Sequence, residues 1–288
     1  STLRGHLPGN LALKPSLAYQ STLRATFAPP CHGSCPLADF GSTGDSAVVL
    51  RLPAIYLKGF TMKFFIDTAN LDEIAEAKSW GCLAGVTTNP SLYAKTGGKL
   101  ADFEPHMLKI AELCEGLPVS AESTATTAEG MIEEGKRLAA LAPNIVVKLP
   151  VCEAGLAACR ALADAGVRVN MTLVFSPTQA LMAANAGARY ISPFVGRFDD
   201  IAEDGISQLD NVVTCIKNYD WTGKNVDDTV EIITASVRTP NHVTQAALLG
   251  ADIATVPMAA LKKCLHHPLT DQGLASFEAD WQKVVNAQ

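Results

Sequence analysis

The sequence predicts an α/β protein: one closed barrel of eight strand–helix units, (β/α)8, followed by an extra C-terminal helix. From Met62 onward, short β-rich runs alternate with segments whose apolar residues recur at helical spacing. The alternation passes through about eight units, the number that closes a barrel of parallel strands joined by helices, the TIM-barrel architecture. Polar residues also gather on one parity near the ends of these runs, where a barrel would bring them to one mouth.

Strands are expected at 63–67, 85–89, 119–123, 145–150, 168–174, 190–195, 231–237 and 253–257. Helices are expected between them, at 71–80, 101–114, 127–141, 153–165, 177–186, 205–218, 241–249 and 258–264. Several helices carry their own start signals. In Thr127-Ala128-Glu129-Gly130 and in Ser176-Pro177-Thr178-Gln179 a hydroxyl residue can cap the orphan amides, with Glu129 or Pro177 well placed in the first turn. Asn70, Leu71, Asp72 and Glu73 make a similar acidic start. A last helix at 271–285 sets Leu274, Phe277 and Trp281 on one face after the barrel has closed, and it is expected to pack on a neighbouring subunit.

The chain has 288 residues, 48% hydrophobic and 18% charged, which excludes disorder throughout and provides for one sizeable core. A net charge of −6 and a pI near 5.5 argue against nucleic acid and anionic membrane as partners. No apolar run reaches the roughly 18 residues that span a bilayer. A soluble, cytoplasmic protein is expected. The eight cysteines are scattered, as in a reducing compartment with buried thiols, and Cys31-His32-Gly33-Ser34-Cys35 lacks the second ligand pair of a metal site. No metal and no cofactor are expected.

Residues 1–61 stand apart as an N-terminal appendage, expected to be disordered or non-native. Pro8, Pro15, Pro29, Pro30, Pro36 and Pro53 recur there, and only Asp39 and Asp45 are acidic. Upstream translated sequence, an expression scar and organellar targeting stay open as its origin, and Met62 would serve as the start of the barrel domain, 62–288.

Within the barrel, Asp67 ends the first strand, Thr87 and Asn89 the second, Ser120 and Glu122 the third, Lys148 the fourth, Asn170 and Thr172 the fifth, Ser192 the sixth and Ser236 the seventh. Any one of these could be a turn former, but no core needs so many polar groups together. Lys148 is the most informative. Ile145-Val146-Val147-Lys148-Leu149-Pro150 places an ammonium in a strand buried on both faces, where desolvation favours the neutral, nucleophilic amine. A lysine merely paired with Glu122 or Asp67 is the bland alternative. Arg197 and Arg238 follow late strands, where such barrels often bind phosphate and where guanidinium forks suit phosphate oxygens. Together with Ser236 they favour a phosphorylated substrate over two surface salt bridges.

Five segments are then recognisable: Phe65-Ile66-Asp67-Thr68-Ala69-Asn70, Gly85-Val86-Thr87-Thr88-Asn89-Pro90-Ser91-Leu92, Thr127-Ala128-Glu129-Gly130-Met131, Val146-Val147-Lys148-Leu149-Pro150 and Ser192-Pro193-Phe194-Val195-Gly196-Arg197. With Ala235-Ser236-Val237-Arg238 and Trp281, they resemble the small transaldolases, relatives of fructose-6-phosphate aldolase, from Met62 to the C-terminus. The resemblance implies a Schiff base between Lys148 and C2 of a ketose phosphate, sedoheptulose 7-phosphate or fructose 6-phosphate. It implies Asp67 as the base on the C4 hydroxyl, and Glu122 with a water held by Thr172 as the group that moves protons. Asn89, Asn170 and Ser192 would hold hydroxyls, and Arg197, Ser236 and Arg238 the phosphate.

A glutamine at the place of Glu122 and a tyrosine at that of Phe194 mark the aldolases of the family, which release free dihydroxyacetone. Both residues here favour transfer to an aldose phosphate, the transaldolase step of the pentose phosphate pathway. The resemblance also implies a homo-oligomer, a pentamer or decamer. A non-catalytic sugar-phosphate binding barrel would have no use for a buried amine and two carboxylates. A metal-dependent barrel lacks histidines at the strand ends, since His106, His242, His266 and His267 fall in helices or loops, where exposed or capping roles are expected.

Overall fold

The structure, a computed structural model, describes residues 61–287. The readings of residues 1–60 as an appendage and of the Cys31–Cys35 segment lie outside the described residues. Eight strands form a closed, all-parallel barrel in chain order: β1 Lys63–Asp67, β2 Leu83–Thr87, β3 Val119–Glu122, β4 Ile145–Pro150, β5 Val169–Val174, β6 Tyr190–Pro193, β7 Glu231–Thr234 and β8 Ile253–Val256. Closure comes from β8 returning to β1, with Phe64 opposite Ala254 and Ile66 opposite Val256.

The helices are α1 Leu71–Ser79, α2 Pro90–Lys95, α3 Phe103–Leu113, α4 Ala128–Leu141, α5 Glu153–Asp164, α6 Pro177–Asn185, α7 Gly196–Asp199, α8 Gly205–Lys217, α9 Pro240–Leu249, α10 Met258–Leu265 and α11 Pro268–Asn286. The expected caps are in place. Asn70 accepts from the amides of Asp72 and Glu73, Thr127 from Gly130, and Ser176 from Gln179.

Two short helices went unforeseen, and each cuts a strand short of its expected end. Asn89 turns its side chain to the amide of Leu92 and caps α2, while Pro90, without an N–H, takes the first helical position, so β2 stops at Thr87. Likewise β6 stops at Pro193 and the chain turns into the four-residue α7, leaving Phe194 a single bridge to Ala235. Ser236 lies beyond β7 with a left-handed φ of 58°. In β5, Leu173 has φ 59° and the ladder to β6 shifts register between Met171 and Val174.

The strand parity sorts the barrel interior into two layers. Phe65, Val146, Tyr190, Ile233 and Ile253 form one buried apolar cluster. Two residues further along each of those chain segments stand Asp67, Lys148, Ser192, Ala235 and Thr255, which line the mouth. Gly85 belongs to the lower layer because a Cβ there would lie 2.4 Å from the ring of Phe65. The outer faces of the strands carry the large core of Ile66, Val86, Val147, Leu149 and Ile191 packed against the helices.

Charges close the N-terminal end of the barrel. Arg189 lies 3.0 Å from Asp227 and 3.2 Å from Glu231, Arg168 joins at Asp227, and Lys63 reaches Glu231 at 2.6 Å. These ion pairs tie together the segments that start β1, β5, β6 and β7. At the other extremity of the chain, α11 buries no residue, and Leu274, Phe277 and Trp281 form an exposed stripe. Among the described residues no helix is long and apolar enough to cross a membrane.

The cysteines depart in part from expectation. Cys114 and Cys159 are buried thiols, pushed up by desolvation to about 11 and about 12, but Cys82, Cys152 and Cys264 are exposed because they sit at turns and helix ends.

Candidate active site

The C-terminal mouth of the barrel holds a cavity of about 160 Å³ lined by Asp67, Thr87, Asn89, Lys148, Ser192, Phe194, Arg197, Ala235, Ser236 and Thr255. Eight of the residues expected from the sequence, all but Ala235 and Thr255, thus meet in one place. Lys148 is 5% exposed, so its amine must find partners inside the protein. It donates to the carbonyl of Thr88 at 2.9 Å and lies 3.0 Å from Glu122 Oε2. The β3–β4 register accounts for the pair, since Glu122 and Lys148 are Cα partners.

Asp67 faces the same cavity from β1. Burial pushes its carboxyl above the ordinary carboxylate range, the charge of Lys148 and a hydrogen bond from Thr87 work against that rise, and the charge of Glu122 adds to it. The Thr87 hydroxyl lies 2.8 Å from Asp67 Oδ1 and 2.6 Å from the hydroxyl of Thr255. An amine and two carboxyl groups therefore lie close together at the barrel mouth. That set suits nucleophilic attack on a carbonyl followed by proton transfer at two different atoms.

At the wall of the cavity the polar layer is internally bonded. Ser192 donates to Asn170 Oδ1 at 2.7 Å, and Asn170 Nδ2 donates to Ser120 Oγ at 3.0 Å. Thr172 sits on β5 opposite Pro150, and its buried hydroxyl meets no partner among the described residues. Phe194 stacks at 5.4 Å from Phe175 and carries the Arg197 guanidinium 5.5 Å over its ring.

This constellation sits within a matched stretch. Residues 64–288 match the model of the transaldolase/fructose-6-phosphate aldolase family. The chain belongs to this family. It is 54% identical over 222 residues to a probable transaldolase of Lysinibacillus sphaericus, covering 77% of this chain and 98% of that protein. It is 54% identical over 229 residues to a probable transaldolase of Thermus thermophilus, covering 77% of this chain and 99% of that one. Aquifex aeolicus has another at 52% over 223 residues, covering 77% and 98%. The chain is accordingly an enzyme of the transaldolase type.

Not every expected residue of this family member lines the cavity. Arg238 is not among the lining residues and places its guanidinium on the carboxylate of Asp200. His242 was expected to be exposed or capping and is neither. It is 8% exposed, with Nε2 3.0 Å from Asp199 Oδ2 and Nδ1 accepting from the Arg238 amide at 3.4 Å. The reason is its position in the first turn of α9, which packs beside α8 and turns inward toward α7. His106 instead reaches the carbonyl of Ala69 at 2.7 Å, and His267 does cap α11.

Thr255 escaped notice although the parity rule applied to β8 would have found it. The Thr88 carbonyl and Asp200 had no local signal, since both act through residues distant in the chain. Among the described residues no group of histidine, cysteine and carboxylate side chains could hold a metal.

Proposed function

We propose that this enzyme transfers a three-carbon dihydroxyacetone unit from a ketose phosphate to an aldose phosphate through a Schiff base on Lys148. The observation that carries the reading is the Lys148 amine, held 3.0 Å from Glu122 at the wall of a cavity that Asp67 also lines. In the proposed cycle Glu122 relieves the ammonium of a proton, and the amine attacks C2 of the donor, sedoheptulose 7-phosphate or fructose 6-phosphate. The carbinolamine oxygen, protonated through Glu122 and a water held at Thr172, leaves as water and an iminium forms.

Asp67 then takes the C4 hydroxyl proton, the C3–C4 bond breaks, and its electrons flow into the iminium to give an enamine. The shorter aldose phosphate departs. Addition of the enamine to a second aldose and hydrolysis of the iminium run the same steps backward. Asn89, Asn170 and Ser192 would hold hydroxyls of the bound fragment, and Arg197, Ser236 and Arg238 the phosphate.

Transfer rather than release follows from Glu122 and Phe194. A phenylalanine ring has no proton to give to the enamine, which favours an intermediate that waits for an acceptor. The same reading takes the enzyme as a cytoplasmic member of the pentose phosphate pathway and as a pentamer or decamer, consistent with the exposed apolar stripe on α11.

Borohydride reduction in the presence of fructose 6-phosphate tests the covalent step: mass added at Lys148 is expected, and binding without any adduct would overturn it. A coupled assay with and without erythrose 4-phosphate tests the transfer. Glyceraldehyde 3-phosphate released equally fast without the acceptor would make the enzyme an aldolase.

A further inference from the structure

Arg197 and Arg238, the two guanidiniums near the mouth, are in different states. Arg197 lines the cavity, whereas Arg238 has both terminal nitrogens on one carboxylate, Nη1 on Asp200 Oδ1 and Nη2 on Oδ2, the latter at 2.5 Å. A guanidinium offers an oxyanion two edges, one formed by its two terminal nitrogens and one that includes Nε. The Nε edge of Arg238 is packed against the chain at Gly196, where an added Cβ would lie 2.7 Å from Nε and 3.0 Å from Cδ. The open edge is therefore the one that Asp200 holds.

We propose that Asp200 is an internal competitor for the phosphate, a carboxylate that occupies the free edge of Arg238 and must be displaced by the phosphate of an incoming sugar. The inference rests on the assignment of Arg238 to the phosphate under the proposed function.

The exchange is open in energy as well as in space. Asp200 follows directly on α7, three residues from Arg197, and its carboxyl is held below the usual range, first by the Arg238 hydrogen bonds and further by the charges of Arg238 and Arg197. Both members of the pair are about half exposed, with side chains 47% and 49% accessible, so the pair is weak enough for a doubly charged phosphate to break. The neighbouring Asp199 carries no such task, being engaged by His242 on the other side of the loop. A sugar without phosphate leaves the pair intact and gains nothing from Arg238, while an anion with less charge than a sugar phosphate competes poorly with Asp200. The carboxylate thereby raises the threshold that an anion must pass to be held.

Inorganic phosphate is the probe, as an inhibitor of the fructose 6-phosphate reaction with erythrose 4-phosphate. Its inhibition constant is measured for wild type, Asp200→Asn, Asp200→Ser, Arg238→Ala and the double variant Asp200→Asn/Arg238→Ala. Both Asp200 variants are expected to lower the constant about threefold to tenfold, as loss of an exposed competing ion pair allows. The KM for fructose 6-phosphate should fall with it, kcat should stay within a factor of about two, and kcat/KM for unphosphorylated fructose should not move. In the Arg238→Ala background the Asn substitution should have no further effect.

A merely structural Asp200 would give the opposite sign, weaker phosphate binding as the loop loosens. Unchanged or weaker inhibition by phosphate in both Asp200 variants overturns the proposal while the phosphate site stands, provided that Arg238→Ala itself weakens inhibition. If Arg238→Ala leaves phosphate inhibition untouched, the phosphate assignment fails and the proposal falls with it.

Discussion

Glu122 and Lys148 are Cα partners on adjacent strands, and their side chains meet at 3.0 Å inside the barrel mouth. A carboxylate in that place both balances a buried ammonium and can accept its proton. Glu122→Gln keeps the shape and removes that capacity. We expect kcat to fall by about 10²- to 10⁴-fold, with borohydride still labelling Lys148 on prolonged incubation. Steady-state rates and intact-mass analysis check it, and a variant with wild-type kcat would remove Glu122 from the proton path.

The raised carboxyl of Asp67 has two consequences of known sign. As a base it works ionised, so the acid limb of kcat/KM should lie above the ordinary aspartate value of about 3.9, and Thr87→Val, which removes a hydrogen bond to the ionised form, should move the limb further up. For stability, the folded protein keeps this proton to higher pH than the unfolded chain. Ionisation therefore works against the fold as pH rises from the unfolded value through the folded one. Asp67→Asn should melt higher than wild type at neutral pH, with the advantage gone below about pH 3.9, and calorimetry across pH reads it directly.

Thr172→Val separates function from stability at one atom. Its hydroxyl is buried with no partner among the described residues, so a methyl in its place should leave the melting temperature unchanged or raise it. The rate should fall by about 10²-fold if the hydroxyl positions the water of carbinolamine formation, and Thr172→Ser should restore most of it. Equal rates for valine and serine variants would refute that role.

The opposite end of the barrel should respond in the opposite way. Burial would push Asp227 up, but the hydrogen bonds and charges of Arg168 and Arg189 together hold it below the usual carboxylate range. Its contribution to stability is thus present above the unfolded value of about 3.9 and is lost as pH falls through the lower folded value. Asp227→Asn should cost about 1–3 kcal/mol at neutral pH, because it leaves the buried Arg189 short of a counter-charge. Denaturant unfolding measures the loss, and KM and kcat of the folded variant should match wild type.

Much of this architecture was legible in the sequence, because period-two and helical spacing directly encode burial. All eight strands and the caps at Asn70, Thr127 and Ser176 follow from side-chain chemistry within a few residues. The mouth was legible too, since Asp67, Lys148 and Ser192 repeat the parity of the apolar layer below them. What escaped was set by contacts between distant segments. Asn89, Phe194 and Ser236 line the cavity as expected, but from beyond their strands, because nothing in an alternating pattern distinguishes the last strand residue from the first loop residue. The partner of Arg238 lies 38 residues earlier, on the loop after β6, and His242 is buried by the packing of α9 rather than by its own neighbours in sequence.

The hydrogen-bonded row at the cavity wall has a direction. Ser192 gives its single proton to Asn170, which passes its own on to Ser120, so Ser192 turns only lone pairs toward the space above. Lone pairs welcome a group that brings a proton and repel one that brings only electrons. At that spot the wall is built to accept a hydrogen bond and has no proton of its own to offer.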